Sequence, residues 1–413
     1  MTSSNIQKLH VADLRVGMYV CELDREWLET PFLMQGFLLD EEADIGVVAQ
    51  YCEHVYIDHH LKAKPRISAG GKPNVTFAPI NQLIYEAPVE EEHQKVNKTF
   101  SRARSQTRDL LDDTRLGGAI NSEAVKSTVN DCVQSVLRNP DALMWMAKIR
   151  EENEYTAEHS LNVCILAVAF GRHMGMNEEQ LQLLGLCGLL HDIGKMRVPN
   201  ELLEKPGRLT DKEMKMMKAH TVHGRNLLLS TTNIYAGAID VAYSHHERID
   251  GTGYPRKLPG AGISKFSRII SIVDAYDAMT ADRCYSPAKS TTEALKIIYS
   301  QRGKQFDEEL AIQFIKTIGL FPVGSIVELY SGEVGIVIET NQKWRHLPRV
   351  ILLLDDKHEP REKQIIIDLS YIESGDLPRT YLVKHVWPDG KYGLYLRDQK
   401  LKDCNLKSGS LRG

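Results

Sequence analysis

The chain lacks the features that mark a membrane span, an exported protein or a nucleic-acid-binding surface. No apolar run approaches the roughly 20 residues that cross a bilayer; the longest, Leu181 to Leu190, is interrupted by Gln182, Gly185 and Gly188 and stops at His191. The N-terminal MTSSNIQKLHVADLRVGMYV has no basic segment followed by a long apolar core, so no secretory signal is expected and a cytoplasmic location is. Cysteine is sparse: Cys21, Cys52, Cys132, Cys164, Cys187, Cys284 and Cys404 are an odd number without CxxC spacing, which argues against a disulfide framework or a zinc ribbon. Excess charge is also missing, since 51 basic and 55 acidic residues give a net charge of -4. That balance gives no broad basic surface, so a nucleic-acid polymer is not expected as a partner. What is present is core material: 413 residues, 42% of them hydrophobic, suffice for two or three folded domains.

Texture divides the chain. Residues 1–65 alternate in β-type runs, Met18 to Cys21 and His54 to Ile57, around the turn-prone LDREWLETPF, and read as a small α/β or β accessory module. Prolines 65, 73, 79 and 88, Gly70, Gly71 and the acidic Glu90 to Glu92 mark a linker over 66–98. Apolar residues then recur at three and four spacings to about residue 325, predicting an all-helical block. Within it 99–127 read as connecting helices and 128–325 as the principal domain. Thr210 to Glu213 and Ser290 to Glu293 have the form of capping boxes, in which each end's side chain meets the other's backbone donor. After Phe321-Pro322 the alternating SIVELYSGEVGIVIE, RVILLLDD and QIIIDLS predict a β-rich extension over 326–413, ending in a solvated tail. The fold class is therefore mainly α with small β-containing pieces at either end. Leu110, Leu111 and Leu116, among the helices from 100 to 135, offer a face for a homodimer.

Histidine carries the chemical signal, because 7 of the 15 lie between His159 and His246 inside the helical block. GLCGLLHDIGK puts His191, Asp192 and Lys195 at the end of an apolar helix, on one face if the helix continues. Such groups are costly there unless paired or bound to a metal. Imidazole with carboxylate suits iron, manganese, zinc or nickel. In SHHERIDGTGYP the adjacent His245 and His246 splay about 100° apart on a helix, so one ion is shared only at a helix end, where the Gly- and Pro-rich loop begins. Between these clusters spacing does not choose between His220 and His223, which share a stripe with Met216 and Leu227. Downstream, SRIISIVDAYDAMTADRCY supplies Asp274 at the end of an apolar run, with Asp277 and Arg283 after it; an acid there faces inward.

HDIGK at 191–195, HHERIDGTGYP at 245–255 and VDAYDAMTADRCY at 273–285, with YTAEHS upstream and FDEEL downstream, resemble the HD-GYP family of the HD phosphohydrolase superfamily. LRVGMYVCELDREWLETPFLMQGFLLD and VYID are similar to the uncharacterised domain that often precedes it. The resemblance implies an all-helical HD-type metal phosphohydrolase domain that linearises cyclic di-GMP to pGpG, some members continuing to GMP, in bacterial signalling. It implies two divalent ions, Fe(II) or Mn(II), on His159, His191, Asp192, His220, His245, His246 and Asp274. It gives Asp192 the bridging position, with a hydroxide held between the ions attacking phosphorus. Lys195 and Arg283 match the contacts to the scissile phosphate. Asp250, Gly251, Gly253, Tyr254 and Pro255 form the loop that shapes the substrate pocket and meets protein partners such as diguanylate cyclases or effectors. In two places the chain departs from the family: Tyr155 stands where some relatives carry a third-metal Glu, and Ser286 where a basic residue is common. The alternatives are another cyclic dinucleotide substrate, such as cyclic GMP-AMP, and a receptor that binds cyclic di-GMP without turnover. His173 and His223 fall outside the implied ligand pattern and are expected to be ordinary helix residues.

Overall fold

The computed structural model describes residues 6–25, 37–39, 42–58, 89–149, 155–281, 288–341, 343–344, 346–387, 389–398 and 405–406. The chain forms two units, Met1–Thr76 and Phe77–Gly413.

In the first unit β1 (Ile6–His10), β2 (Tyr19–Leu23), β3 (Phe37–Leu38) and β4 (His54–Asp58) form an antiparallel sheet in the order β1-β4-β2-β3, with helix α1 (Glu42–Tyr51) between β3 and β4. Alternation decides its inner face: Val55 and Ile57 of β4 join Val20, Leu23, Leu39 and Val48 in a small core. The expected α/β module is formed from the β-type runs noted above.

The second unit starts helical at α2 (Val89–Arg115), so the expected linker over 66–98 is helix from Val89 onward; residues 66–88 lie outside the described ones. A physical reason favours the helix over the expected linker: Val96, Phe100, Ala103, Thr107 and Leu111 bury one stripe at three and four spacings. The expected boundary at 128 likewise falls inside a helix, α3 (Ser122–Arg138), which begins at the Asn121 cap. Leu111 is buried and Leu110 packs against the core, so only Leu116, 87% exposed, remains of the anticipated dimer face.

Helices α4 (Pro140–Lys148), α5 (Tyr155–His173) and α6 (Glu178–Leu190) enclose the core, with Trp145, Leu161, Ile165 and Phe170 fully buried. The glycines that interrupt the apolar run of α6 allow this packing: a Cβ on Gly188 would lie 2.9 Å from the Cys164 Cα on α5. Beyond them come α7 (Asn200–Leu203), α8 (Asp211–Lys218), α9 (His220–Leu229), α10 (Ala236–Ser244), α11 (Lys265–Thr280), α12 (Thr291–Ser300) and α13 (Glu308–Ile318). The capping boxes at Thr210 and Ser290 are both formed and start α8 and α12.

Strands β5 (Ile326–Leu329), β6 (Val334–Glu339), β7 (Arg349–Leu354), β8 (Pro360–Asp368), β9 (Val383–Trp387) and β10 (Asn405–Leu406) make a six-stranded sheet ordered β10-β8-β7-β6-β5-β9. Its central strands are apolar at nearly every position because both faces are covered. Ile336, Ile338, Ile351 and Leu353 enter the helical core, whereas Val337, Val350 and Leu352 face a second cluster with Leu347 and Leu369. The β-rich extension therefore shares its core with the helices. Asp141 of α4 ties them further, accepting from the Thr340 backbone N at 2.7 Å and its Oγ1 at 2.9 Å.

Candidate metal centre

Five helices deliver the charged residues of the sequence motifs to one buried point. His159 lies in the second turn of α5, His191 caps the end of α6 with Asp192 next, and His220 opens α9. His245 caps the end of α10 with His246 after it, and Asp274 comes from α11. The helix ends there because Asp192, Ile193 and Gly194 turn into a 3-10 segment, Ile193–Arg197, that lies against α9. Gly194 makes that approach possible: a Cβ there would stand 1.9 Å from the His220 carbonyl oxygen. The stripe shared by His220 and His223 is thus resolved in favour of His220, which is 2% exposed and faces the cluster.

Asp192 is the centre of the arrangement. Its Oδ2 faces His159 Nε2 at 3.5 Å and His191 Nε2 at 3.2 Å, while its Oδ1 faces His220 Nε2 at 3.3 Å and His245 Nε2 at 3.6 Å. Asp274 Oδ1 lies 3.1 Å from His159 Nε2 and 3.9 Å from His191 Nε2, and its Oδ2 4.0 Å from His246 Nδ1. One carboxylate therefore presents a different oxygen to each of two histidine pairs.

The other ring nitrogens decide the tautomers. His191 Nδ1 donates to Gly188 O at 2.7 Å, His220 Nδ1 to Met217 O at 2.7 Å and His245 Nδ1 to Val241 O at 3.0 Å. A carbonyl only accepts, so each Nδ1 carries the proton and each Nε2 lone pair points at Asp192. His159 Nδ1 meets Asp277 Oδ2 at 2.7 Å. Asp277, noted in the sequence only as an inward acid, thus orients a member of the cluster; its signal was its position one helical turn after Asp274.

Electrostatics agree with cation binding. Burial, with His245 and Lys195 adding to it, pushes the His220 imidazole down to about 4, and burial with His245 and His220 holds His246 well below its usual value, so both stay neutral with lone pairs available. Burial alone would raise Asp192 and Asp274, but Lys195 beside the first, and His159 beside the second, hold both carboxyls far below the usual range. At His159 burial is outweighed by bonds to Asp192, Asp274 and Asp277, which raise it to about 10, so positive charge is favoured in that corner.

The donor set fits divalent metal. Three overlapping groups of potential ligands, Asp192/His220/His245/His246, His159/His191/Asp192 and His191/His245/Asp274, each have donor atoms within 4.8 Å of one another. His191 Nε2 and Asp192 Oδ1 are buried without a hydrogen-bond partner, which is costly unless a cation satisfies them.

Around the cluster, Lys195 pairs with Asp192 Oδ2. Tyr254 stacks on His246, ring centroids 4.8 Å apart, and its phenol is raised by burial and by Asp192 and Asp274, so it remains protonated. Glu247, not singled out in the sequence, is buried and folds the loop by accepting from Arg256 N at 2.6 Å and Leu258 N at 3.0 Å. Gly251 takes a positive φ of 75°, whereas Gly253 is required by closeness, its Cβ position lying 2.4 Å from Arg248 N. Pro255 follows Tyr254 in the same loop. Asp250 turns to that loop itself, accepting from Thr252 N at 3.0 Å and pairing with Arg248. Arg283 and Ser286 lie outside the described residues.

A family model described as HD domain matches residues 142–310, and one described as a domain of unknown function (DUF3391) matches 6–125. The chain is 35% identical over 370 residues to cyclic di-GMP phosphodiesterase PA4108 of Pseudomonas aeruginosa, covering 88% of this chain and 89% of the relative. The chain belongs to the HD-GYP family. It is 41% identical over 136 residues to the cyclic di-GMP phosphodiesterase response regulator RpfG of Xanthomonas campestris, over 32% of this chain and 36% of that one. It is also 38% identical to 3'3'-cGAMP-specific phosphodiesterase 1 of Vibrio cholerae, over 38% of this chain and 36% of that one. The DUF3391 match extends past the expected N-terminal module and includes all of α2. Among the described residues no helix is long and apolar enough to cross a membrane.

Proposed function

We propose that this HD-GYP chain is a metal-dependent phosphodiesterase that opens cyclic di-GMP to linear pGpG in the cytoplasm. The observation that carries the reading is Asp192, whose two oxygens serve two separate histidine pairs. One divalent ion would be held by His159, His191, Asp192 and Asp274 and a second by Asp192, His220, His245 and His246, with Fe(II) or Mn(II) suited to this nitrogen and oxygen set. When bound, the ions supply Lewis acidity and an acidified water. The chain's own residues position the rest. Lys195 holds the Asp192 carboxylate in place, and the family resemblance assigns Lys195 and Arg283 to the scissile phosphate. Tyr254, fixed on His246 and uncharged, walls the substrate pocket with Gly253 and Pro255. The exposed Thr252, Arg256 and Lys257 on the outer side of the loop form the surface offered to protein partners. The N-terminal module and the β-rich extension flank the catalytic region and carry none of its ligands.

Chromatography of products after anaerobic incubation of cyclic di-GMP with Fe(II)- or Mn(II)-loaded protein tests this, with Asp192→Ala beside it. Linear pGpG from the wild type alone is the expected result. Intact substrate at full metal occupancy would reject the activity, and tight binding without product would recast the chain as a receptor. The similarity to a relative named for 3'3'-cGAMP makes cyclic GMP-AMP the second substrate to offer, in direct competition.

A further inference from the structure

Beside the candidate metal centre lies a cation that the sequence motifs do not account for. Lys218 ends α8, two residues before His220, and its Nζ lies 4.9 Å from the centroid of the Tyr254 ring. That ring is the one stacked on His246, so Lys218 is two ring contacts from the metal-binding cluster and outside it. No residue of α8 is buried, and Lys218 is exposed to solvent. Lys195, the other lysine at the site, is already paired with Asp192. Lys218 has no carboxylate partner among the described residues, only the face of an aromatic ring.

This difference in partners has a chemical consequence. An ammonium opposite a carboxylate shares its charge with that partner, whereas one held only by a ring keeps its full charge for an incoming anion and loses little on exchanging the ring for a phosphate oxygen. A cyclic dinucleotide carries two phosphodiesters in one ring, so while one reacts at the metals the other must be accommodated away from them.

We propose that Lys218, positioned by Tyr254, binds the non-reacting phosphate of the cyclic dinucleotide and thereby favours two-phosphate rings over simple diesters. The proposal rests on the phosphodiesterase reading for the orientation of the ring, and its test is separable from that reading because it measures binding.

The experiment titrates the metal-loaded full chain with a hydrolysis-resistant cyclic di-GMP, both phosphates carrying sulfur, by calorimetry. Lys218→Ala, Lys218→Arg and, as a control for general charge, the exposed Lys212→Ala of the same helix are compared with the wild type. Loss of one charge-assisted contact weakens Kd about tenfold in Lys218→Ala. Arginine restores most of the affinity, and Lys212→Ala changes it by less than about twofold, because an exposed charge without direct contact is screened. Dimethyl phosphate, with a single diester, loses far less affinity in Lys218→Ala than the ring does. Equal Kd in wild type and Lys218→Ala, or equal losses in Lys218→Ala and Lys212→Ala, overturns the contact. A wild type that binds the analogue but leaves cyclic di-GMP intact removes the phosphodiesterase reading and leaves the Lys218 contact standing. A wild type that does not bind the analogue removes both.

Discussion

His159 and Asp277 form a buried pair, Nδ1 to Oδ2 at 2.7 Å, that aims His159 Nε2 at the oxygens of Asp192 and Asp274. The residues lie on different helices, so α11 contributes the Asp274 carboxylate to the cluster and, one turn later, the group that orients His159 on α5. Asp277→Asn keeps the shape but replaces the anionic acceptor. Metal affinity should fall about 10- to 100-fold, measured by chelator competition, with turnover recovering in excess metal. Unchanged affinity would show the pair to be packing alone.

Gly194 is the steric pivot of the HDIGK turn. A Cβ there would meet the His220 oxygen at 1.9 Å and Gly224 N at 2.3 Å, both backbone atoms that cannot rotate away. Gly194→Ala should separate the turn from α9, destabilise the fold by about 3 kcal/mol, and lower metal occupancy through the displaced His220. Gly46, in α1, has nothing within 4 Å of its Cβ position, so Gly46→Ala should leave stability unchanged or raise it by about 0.5 kcal/mol. Denaturant midpoints for the two variants provide the comparison, and similar midpoints would refute the steric argument.

The convergence of His191, Asp192, His220 and His245 was legible in the sequence because these residues cap or open helices, and helix boundaries leave local signatures. The Thr210 box starts the helix that leads to His220, and the loop after His246 announces the end of α10. Spacing failed between His220 and His223, since one helix stripe holds both and only the approach of the HDIGK turn distinguishes them. The linker was misplaced because proline and acidic residues upstream outweighed a buried stripe beginning at Val96. The shared core of the β-rich extension was hidden for another reason. An apolar strand run shows that both faces are covered, but not that helices cover one of them. Lys218 gave no signal, because the ring it meets, Tyr254, is distant in sequence, and Asp277 gave only its place one turn after Asp274.

Gathering four histidines with Nε2 directed at Asp192 leaves buried polar atoms that a cation satisfies, so metal should stabilise the fold as well as act in the reaction. At 100-fold excess over Kd, binding to the native state contributes about 2.7 kcal/mol. For a unit spanning Phe77–Gly413 that corresponds to a rise in Tm of about 4 °C. Differential scanning fluorimetry of chelated and Mn(II)-reloaded protein measures it, with Asp192→Ala losing the shift. Equal melting with and without metal would argue against a built site.

Acid sensitivity should also arise far from the metals, at Glu328 on β5. Its Oε1 accepts from Lys384 Nζ at 2.9 Å, and its Oε2 from Trp387 Nε1 and Tyr392 Oη, each at 3.0 Å. Burial alone would raise this carboxyl, but the three donors hold it down at about 2, against 4.5 in the unfolded chain. The unfolded state therefore takes up the proton at higher pH, and the contribution is complete above pH 5 and lost as pH falls through 4.5 toward 2. Because Lys384 is 41% exposed, solvent screening reduces the value to about 2 kcal/mol. Glu328→Gln should accordingly be less stable than wild type by that amount at pH 7, and the gap should narrow by pH 3.5, as followed by urea unfolding through tryptophan fluorescence. A gap that stays constant between those pH values would mean that the carboxylate's charge plays no part in holding β5 to β9.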